Sequence, residues 1–225
     1  MVVLDSVSRV YGAGAQRATA LDTVSLSVAR GELVAIAGPS GSGKTTLLHI
    51  AGGIDLPTSG QVAIDGRDPS TLSPRDLAAF RLGSIGFVFQ QFSLIPVLTA
   101  RENVELPLLF RPGWTAARRR EAVDGALARV GLAAKASRRP AELSGGEQQR
   151  VAVARAVAGE PRLVLADEPT AHLDHEAGFA VVDLLAALNR ERGTTCVYAS
   201  HDPELVSRAR RVVTLRDGRI ATDAA

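Results

Sequence analysis

The chain has 225 residues, 46% of them hydrophobic and 22% charged, and a net charge of +2. That length buries one full core or two, and so small a charge excess does not call for a nucleic-acid partner. No apolar run approaches the ~18 residues that span a bilayer. The start, Met1-Val2-Val3-Leu4-Asp5, lacks the basic and apolar stretches of a signal peptide. A cytoplasmic chain with no direct membrane insertion is expected. Cys196 is the only cysteine, so an internal disulfide is excluded and the thiol reads as a small core residue.

In chain order, the first thirty residues alternate in polarity: Val3, Asp5, Val7 and Arg9, then Leu21, Thr23, Ser25 and Ser27. They predict two or three antiparallel strands, placed at the edge of a larger sheet. Leu33-Val34-Ala35-Ile36-Ala37 predicts a buried strand, and a helix follows from Thr45 to about Gly52-Gly53.

Between that strand and helix lies Gly38-Pro39-Ser40-Gly41-Ser42-Gly43-Lys44-Thr45, followed by Thr46. It fits the P-loop pattern, in which glycine N–H groups face phosphate oxygens, a lysine meets the β- and γ-phosphates and a hydroxyl ligates Mg²⁺. Gly41 and Gly43 permit the tight wrap. Lys44 supplies the charge and Thr45 the hydroxyl, at the positive end of the helix dipole. The only other lysine is Lys135, with arginine filling nearly every other basic position.

Val62-Ala63-Ile64 and Ile85 to Phe89 predict further strands. From about residue 91 to 160 the pattern turns helical, over Leu98–Phe110, Thr115–Val130 and Gly146–Ala158. Arg118-Arg119-Arg120 reads as the solvated face of the second of these helices. Strands return at Leu163–Ala166, Thr195–Ala199 and Val212–Leu215, with a helix from His175 to Arg190 between the first two. The expected fold is one α/β domain over 1–225. Its core, 1–90 and 161–225, carries a mostly parallel sheet and an antiparallel β-subdomain, and a helical subdomain over about 91–160 interrupts it.

Two acids, Asp167 and Glu168, close the apolar strand Leu163–Ala166. At a strand tip beside a P-loop, Asp167 can hold Mg²⁺ and Glu168 can polarise the water that attacks the γ-phosphate. Leu143-Ser144-Gly145-Gly146-Glu147-Gln148-Gln149-Arg150 places a hydroxyl and bare N–H groups at a helix start, a second phosphate-binding arrangement.

That last string resembles the signature of the ATP-binding-cassette (ABC) ATPases, and the resemblance extends over nearly the whole chain. It implies ATP and Mg²⁺ as cofactors and ATP hydrolysis as the activity. Tyr11 matches the aromatic that stacks on adenine. Gln90 matches the glutamine that senses Mg²⁺ and γ-phosphate, although Gln91 follows and fits almost the same spacing. Ala171-His172-Leu173-Asp174 matches the loop that crosses the dimer interface, with His172 where relatives commonly carry Ala or Asn. His201, 33 residues after Glu168, matches the histidine on the γ-phosphate.

The resemblance further implies a homodimer when ATP is bound. Ser144, Gly145, Gly146, Gln148 and Asp174 of one copy then complete the site of the other. The implied partner is a transmembrane permease, which holds the chain at the inner face of the cell membrane. Residues Gly86 to Val104 are similar to the lipoprotein-release and macrolide-export branch. A cell-division-type regulatory ATPase and a soluble non-transport ABC ATPase are the alternatives.

Overall fold

The computed structural model describes residues 1–171 and 173–224, so His172 lies outside the described residues. Two sheets meet across one helix. β1 (Val2–Tyr11), β2 (Ala18–Val28) and β4 (Ser59–Ile64) form an antiparallel sheet of order β2-β1-β4. The second sheet also contains β3 (Leu33–Ala37), β5 (Ile85–Val88), β6 (Leu163–Asp167), β7 (Thr195–Ser200), β8 (Arg211–Arg216) and β9 (Arg219–Ala224). Its order is β5-β6-β7-β3-β8-β9, parallel except for the β8–β9 hairpin.

The α/β expectation therefore holds, with one correction. The N-terminal strands do not edge the larger sheet; they build a sheet of their own. The inward side chains Val2, Leu4, Val7, Leu21, Val24, Leu26 and Val28 are all buried, as are Val62 and Ile64. They share a core with Leu47, Leu48 and Ile50 of α1 (Lys44–Ala51) and with Leu165 and Val197 of the parallel sheet. Strict alternation gives each strand one apolar face, and α1 between the sheets is what covers it.

β6 and β7 are buried along their whole length, as fits central parallel strands covered on both faces. Val153, Val157, Val181, Val182, Leu185 and Leu205 pack on the face away from α1. They come from α5 (Gly145–Val157), α6 (His175–Arg192) and α7 (Pro203–Val206). Cys196 is buried here, and desolvation pushes its thiol up to about 12.

Between β5 and β6 the described residues contain helices and no strand. α3 (Ala100–Glu105), α4 (Ala116–Arg129) and α5 share a separate cluster of Val104, Val123, Leu127, Val151 and Ala154. Pro107 lies in the short 3-10 turn Leu106–Phe110, so the predicted single helix from Leu98 to Phe110 is shorter and broken. In the arginine triplet, Arg118 stacks on Trp114 and Arg119 pairs with Glu105 at 3.0 Å.

Candidate functional site

Three strand tips and one helix start build the site. β3 runs through the loop 38–43 into α1, whose cap residue Gly43 has φ +104°. A Cβ there would lie 2.4 Å from the Ala20 carbonyl oxygen, so only glycine fits. Gly41 also has positive φ, +78°. β6 and β7 run parallel to β3 in the same sheet and end at Asp167 and Ser200, which brings Asp167, Glu168 and His201 to the same edge as the loop.

The side chains converge there. Lys44 Nζ donates to the Gly38 and Pro39 carbonyls at 2.8 and 3.0 Å and lies 3.3 Å from Glu168 Oε1. His201 Nδ1 lies 3.0 Å from Glu168 Oε2. Thr45 Oγ1 donates to Asp167 Oδ1 at 3.1 Å. Glu168 itself has φ +43°, an uncommon conformation for a residue with a side chain and one that clusters at functional sites. Lys44, Asp167 and Glu168 are all buried. Burial lifts the Asp167 pKa above its ordinary value, and the Thr45 hydrogen bond opposes that shift.

This arrangement fits a triphosphate on its own geometry. Every other α-helix of the described chain has a capping side chain: Ser73 on α2 (Pro74–Ser84), Thr99, Thr115, Ser144, Asp174 and Asp202. α1 has none. Ser42, beside that uncapped start, is only 3% exposed, and its hydroxyl has no hydrogen-bond partner. An anion seated on the loop would satisfy both. Gly38, Pro39, Ser40 and Thr46 complete the loop and first turn. One hydroxyl, Thr45, and one carboxylate, Asp167, are a normal protein share for Mg²⁺, which takes its other ligands from water and phosphate.

Tyr11 is 39% exposed at the end of β1, so its ring is not part of the core. Its hydroxyl donates to Asp55 Oδ2 at 2.7 Å, and the Arg9 guanidinium carbon lies 4.5 Å from its ring centroid. Gln90 and Gln91 are both exposed just beyond β5, so their placement does not separate them.

The remaining predicted residues gather elsewhere. Ser144, Gly145, Gly146 and Asp174 line one open cavity of about 480 Å³, with Arg150 and Leu173. Ser144 caps α5 in a reciprocal box with Glu147, and Asp174 caps α6 by accepting from the Ala177 N–H at 2.8 Å. Gln148 does not line that cavity; its amide donates to the Leu143 carbonyl. No hydrogen bond or ion pair among the described residues joins 144–146 to the P-loop cluster.

Sequence reasoning missed Asp55 and Arg155. Arg155 on α5 donates to the Phe92 and Ser93 carbonyls and so ties the signature helix to the segment after Gln91. Neither residue carries a local signal, because the contacts of Asp55 to Arg9 and Tyr11 and of Arg155 to Phe92 and Ser93 each span more than forty positions.

Comparison with known proteins gives the same class. The ABC transporter family profile matches residues 21–171, and the chain belongs to that family. It is 47% identical to the uncharacterised ABC transporter ATP-binding protein YknY of Bacillus subtilis, over 98% of this chain and 95% of the relative. It is 47% identical to the lipoprotein-releasing system ATP-binding protein LolD of Bordetella pertussis, over 97% and 94%. The macrolide export ATP-binding/permease protein MacB of Hyphomonas neptunium is 44% identical over 99% of this chain, which spans 34% of that longer protein. Among solved structures, the dimeric post-hydrolysis ATP-binding cassette MJ0796 bound to ADP and Pi superposes with a TM-score of 0.93. It is 44% identical, with 99% of this chain and 97% of that one covered. This chain is an ATP-binding, ATP-hydrolysing cassette.

Proposed function

We propose that two copies of this chain associate head to tail around two MgATP, and that their cycle drives a separate membrane permease. The observation that carries the dimer is the separation of the two half-sites. Lys44, Thr45, Asp167, Glu168 and His201 form one cluster, while Ser144–Gly146 and Asp174 line another cavity with no bond to it among the described residues. A second copy supplies what each cluster lacks.

In this reading the P-loop N–H groups, Ser42 and Lys44 hold the phosphates. Thr45 and Asp167 would hold Mg²⁺, which would supply Lewis-acid neutralisation of the phosphate charge. Glu168 accepts a proton from water as the water oxygen bonds the γ-phosphorus, and the bond from that phosphorus to ADP breaks. His201, sharing the Glu168 carboxylate, holds it in line. Gln90 and the helices of 91–160 carry the change to the permease, from which the inner-membrane location follows. The names of LolD and MacB, a releasing system and an export protein, support a transport role. No described helix is long and apolar enough to cross a membrane.

Sedimentation tests the arrangement. The Glu168→Gln protein is expected to be monomeric alone and dimeric with MgATP. A tight dimer without nucleotide would remove ATP as the principal contact between copies.

A further inference from the structure

Arg9 and Tyr11 stand two residues apart on β1, where the strand leaves its regular register with β2. Both reach the same carboxylate. Arg9 grips Asp55 with two nitrogens, Nε to Oδ2 at 2.9 Å and Nη2 to Oδ1 at 2.8 Å. The Tyr11 hydroxyl donates to the same Oδ2. Asp55 is fixed in turn. Its N–H donates to the His49 carbonyl in the last turn of α1, and its Oδ1 accepts from the Leu56 N–H at 2.8 Å. A parallel tie runs beside it, from the Val10 N–H to Thr58 Oγ1 at 3.0 Å. The base end of the site is thus fastened to the far end of the helix whose first turn holds Lys44 and Thr45.

We infer that Arg9 and Asp55 are positioning residues for the nucleotide base. Asp55 locks the Tyr11 ring, and Arg9 fills one ring face, leaving the other for a purine. This rests on the reading of Tyr11 as the base platform. A half-exposed tyrosine at a strand end, next to Gly12 and Gly14, would otherwise lose torsional freedom each time a nucleotide bound. The clamp removes that freedom in advance, which tightens binding. The guanidinium contributes twice: it packs the unused face through a cation–π contact, and its two-point hold on Asp55 sets the carboxylate that orients the ring.

A clamp serving only to fasten β1 to α1 would affect every ligand of the P-loop alike. A base clamp affects only ligands that carry a base. Calorimetric titration of the full chain with ATP and with inorganic tripolyphosphate separates the two. Asp55→Ala and Arg9→Ala are each expected to weaken ATP by about two- to fivefold, the usual range of an exposed cation–π contact. Tripolyphosphate affinity should stay within about twofold. In a Tyr11→Ala background, the Asp55→Ala change should add no further loss, because there is no ring left to position. Asp55→Asn keeps an acceptor for the Tyr11 hydroxyl and removes the charge facing Arg9; it should fall between wild type and Asp55→Ala, and it serves if the alanine variant does not fold.

Equal losses for ATP and tripolyphosphate, or no loss for either, would overturn the inference while leaving Tyr11 as the platform. Tighter ATP binding by Arg9→Ala would mean that the guanidinium competes for the purine face, and would overturn it too. Unchanged ATP affinity in Tyr11→Ala would remove the platform itself, and the clamp with it.

Discussion

Lys44 Nζ lies 3.3 Å from Glu168 Oε1, so the P-loop lysine and the acid just beyond the β6 tip form an ion pair. The pair is buried and His201 shares it. In the proposed mechanism Glu168 is the group that accepts the proton from water.

The first prediction tests that role. Glu168→Gln preserves the shape and the hydrogen bonds to its neighbours but cannot take a proton. ATP turnover is expected to fall by about 10²- to 10⁴-fold, the usual share of general-base catalysis, while ATP still binds. Steady-state phosphate release measures it. Turnover near that of the wild type would remove Glu168 from the proton-transfer step.

Asp167 gives a prediction on stability. Its folded-state pKa is raised, with burial the largest cause. Between its ordinary value of 3.8 and the raised folded value, the native state binds more protons than the unfolded one. Stability therefore falls as pH rises through that window and stays lower above it. Asp167→Asn removes the buried charge and keeps an acceptor for Thr45. Without nucleotide, the variant is expected to melt higher than wild type at pH 8, with the gain shrinking as pH falls towards 4. Its Mg²⁺-dependent ATP turnover should nonetheless be largely lost. Thermal melts across pH, with turnover at pH 8, check both; a variant that melts lower at pH 8 would mean that Asp167 is stabilising as a carboxylate.

Much of this was legible in the chain because local physics and function coincide. Loop 38–45 needs glycines, a lysine and a hydroxyl at fixed offsets whatever surrounds it. β3, β6 and β7 are buried on both faces and so read as continuous apolar runs. α2 was not seen because its only buried side chain is Phe80, although Ser73 and Pro74 mark its start. β9 was missed because it is exposed along almost its whole length and lacks an apolar stripe. The separate three-stranded sheet was misplaced because alternation defines a strand's apolar face but not which element covers it. Asp55 was invisible because its contacts to Arg9 and Tyr11 span 46 and 44 positions.

The central claim is that each ATP site is built from two copies, and complementation between two defective variants tests it most directly. Lys44→Ala destroys the phosphate cradle of its own chain. Ser144→Arg blocks the signature surface that a chain lends to its neighbour; because Ser144 also caps α5, circular dichroism should confirm that this variant is folded. Either homodimer has two broken sites and is expected to be inactive. In the mixed dimer both defects fall on one composite site, and the other joins a native Lys44 to a native Ser144. Mixing the two proteins is expected to restore ATP turnover, up to about half the wild-type rate per mixed dimer where the sites act independently. ATP binding at one site of the mixed dimer without turnover would keep the head-to-tail arrangement and mean that the two sites fire together. Binding at neither site would contradict it, because a site completed within one chain is broken in every copy of the mixture.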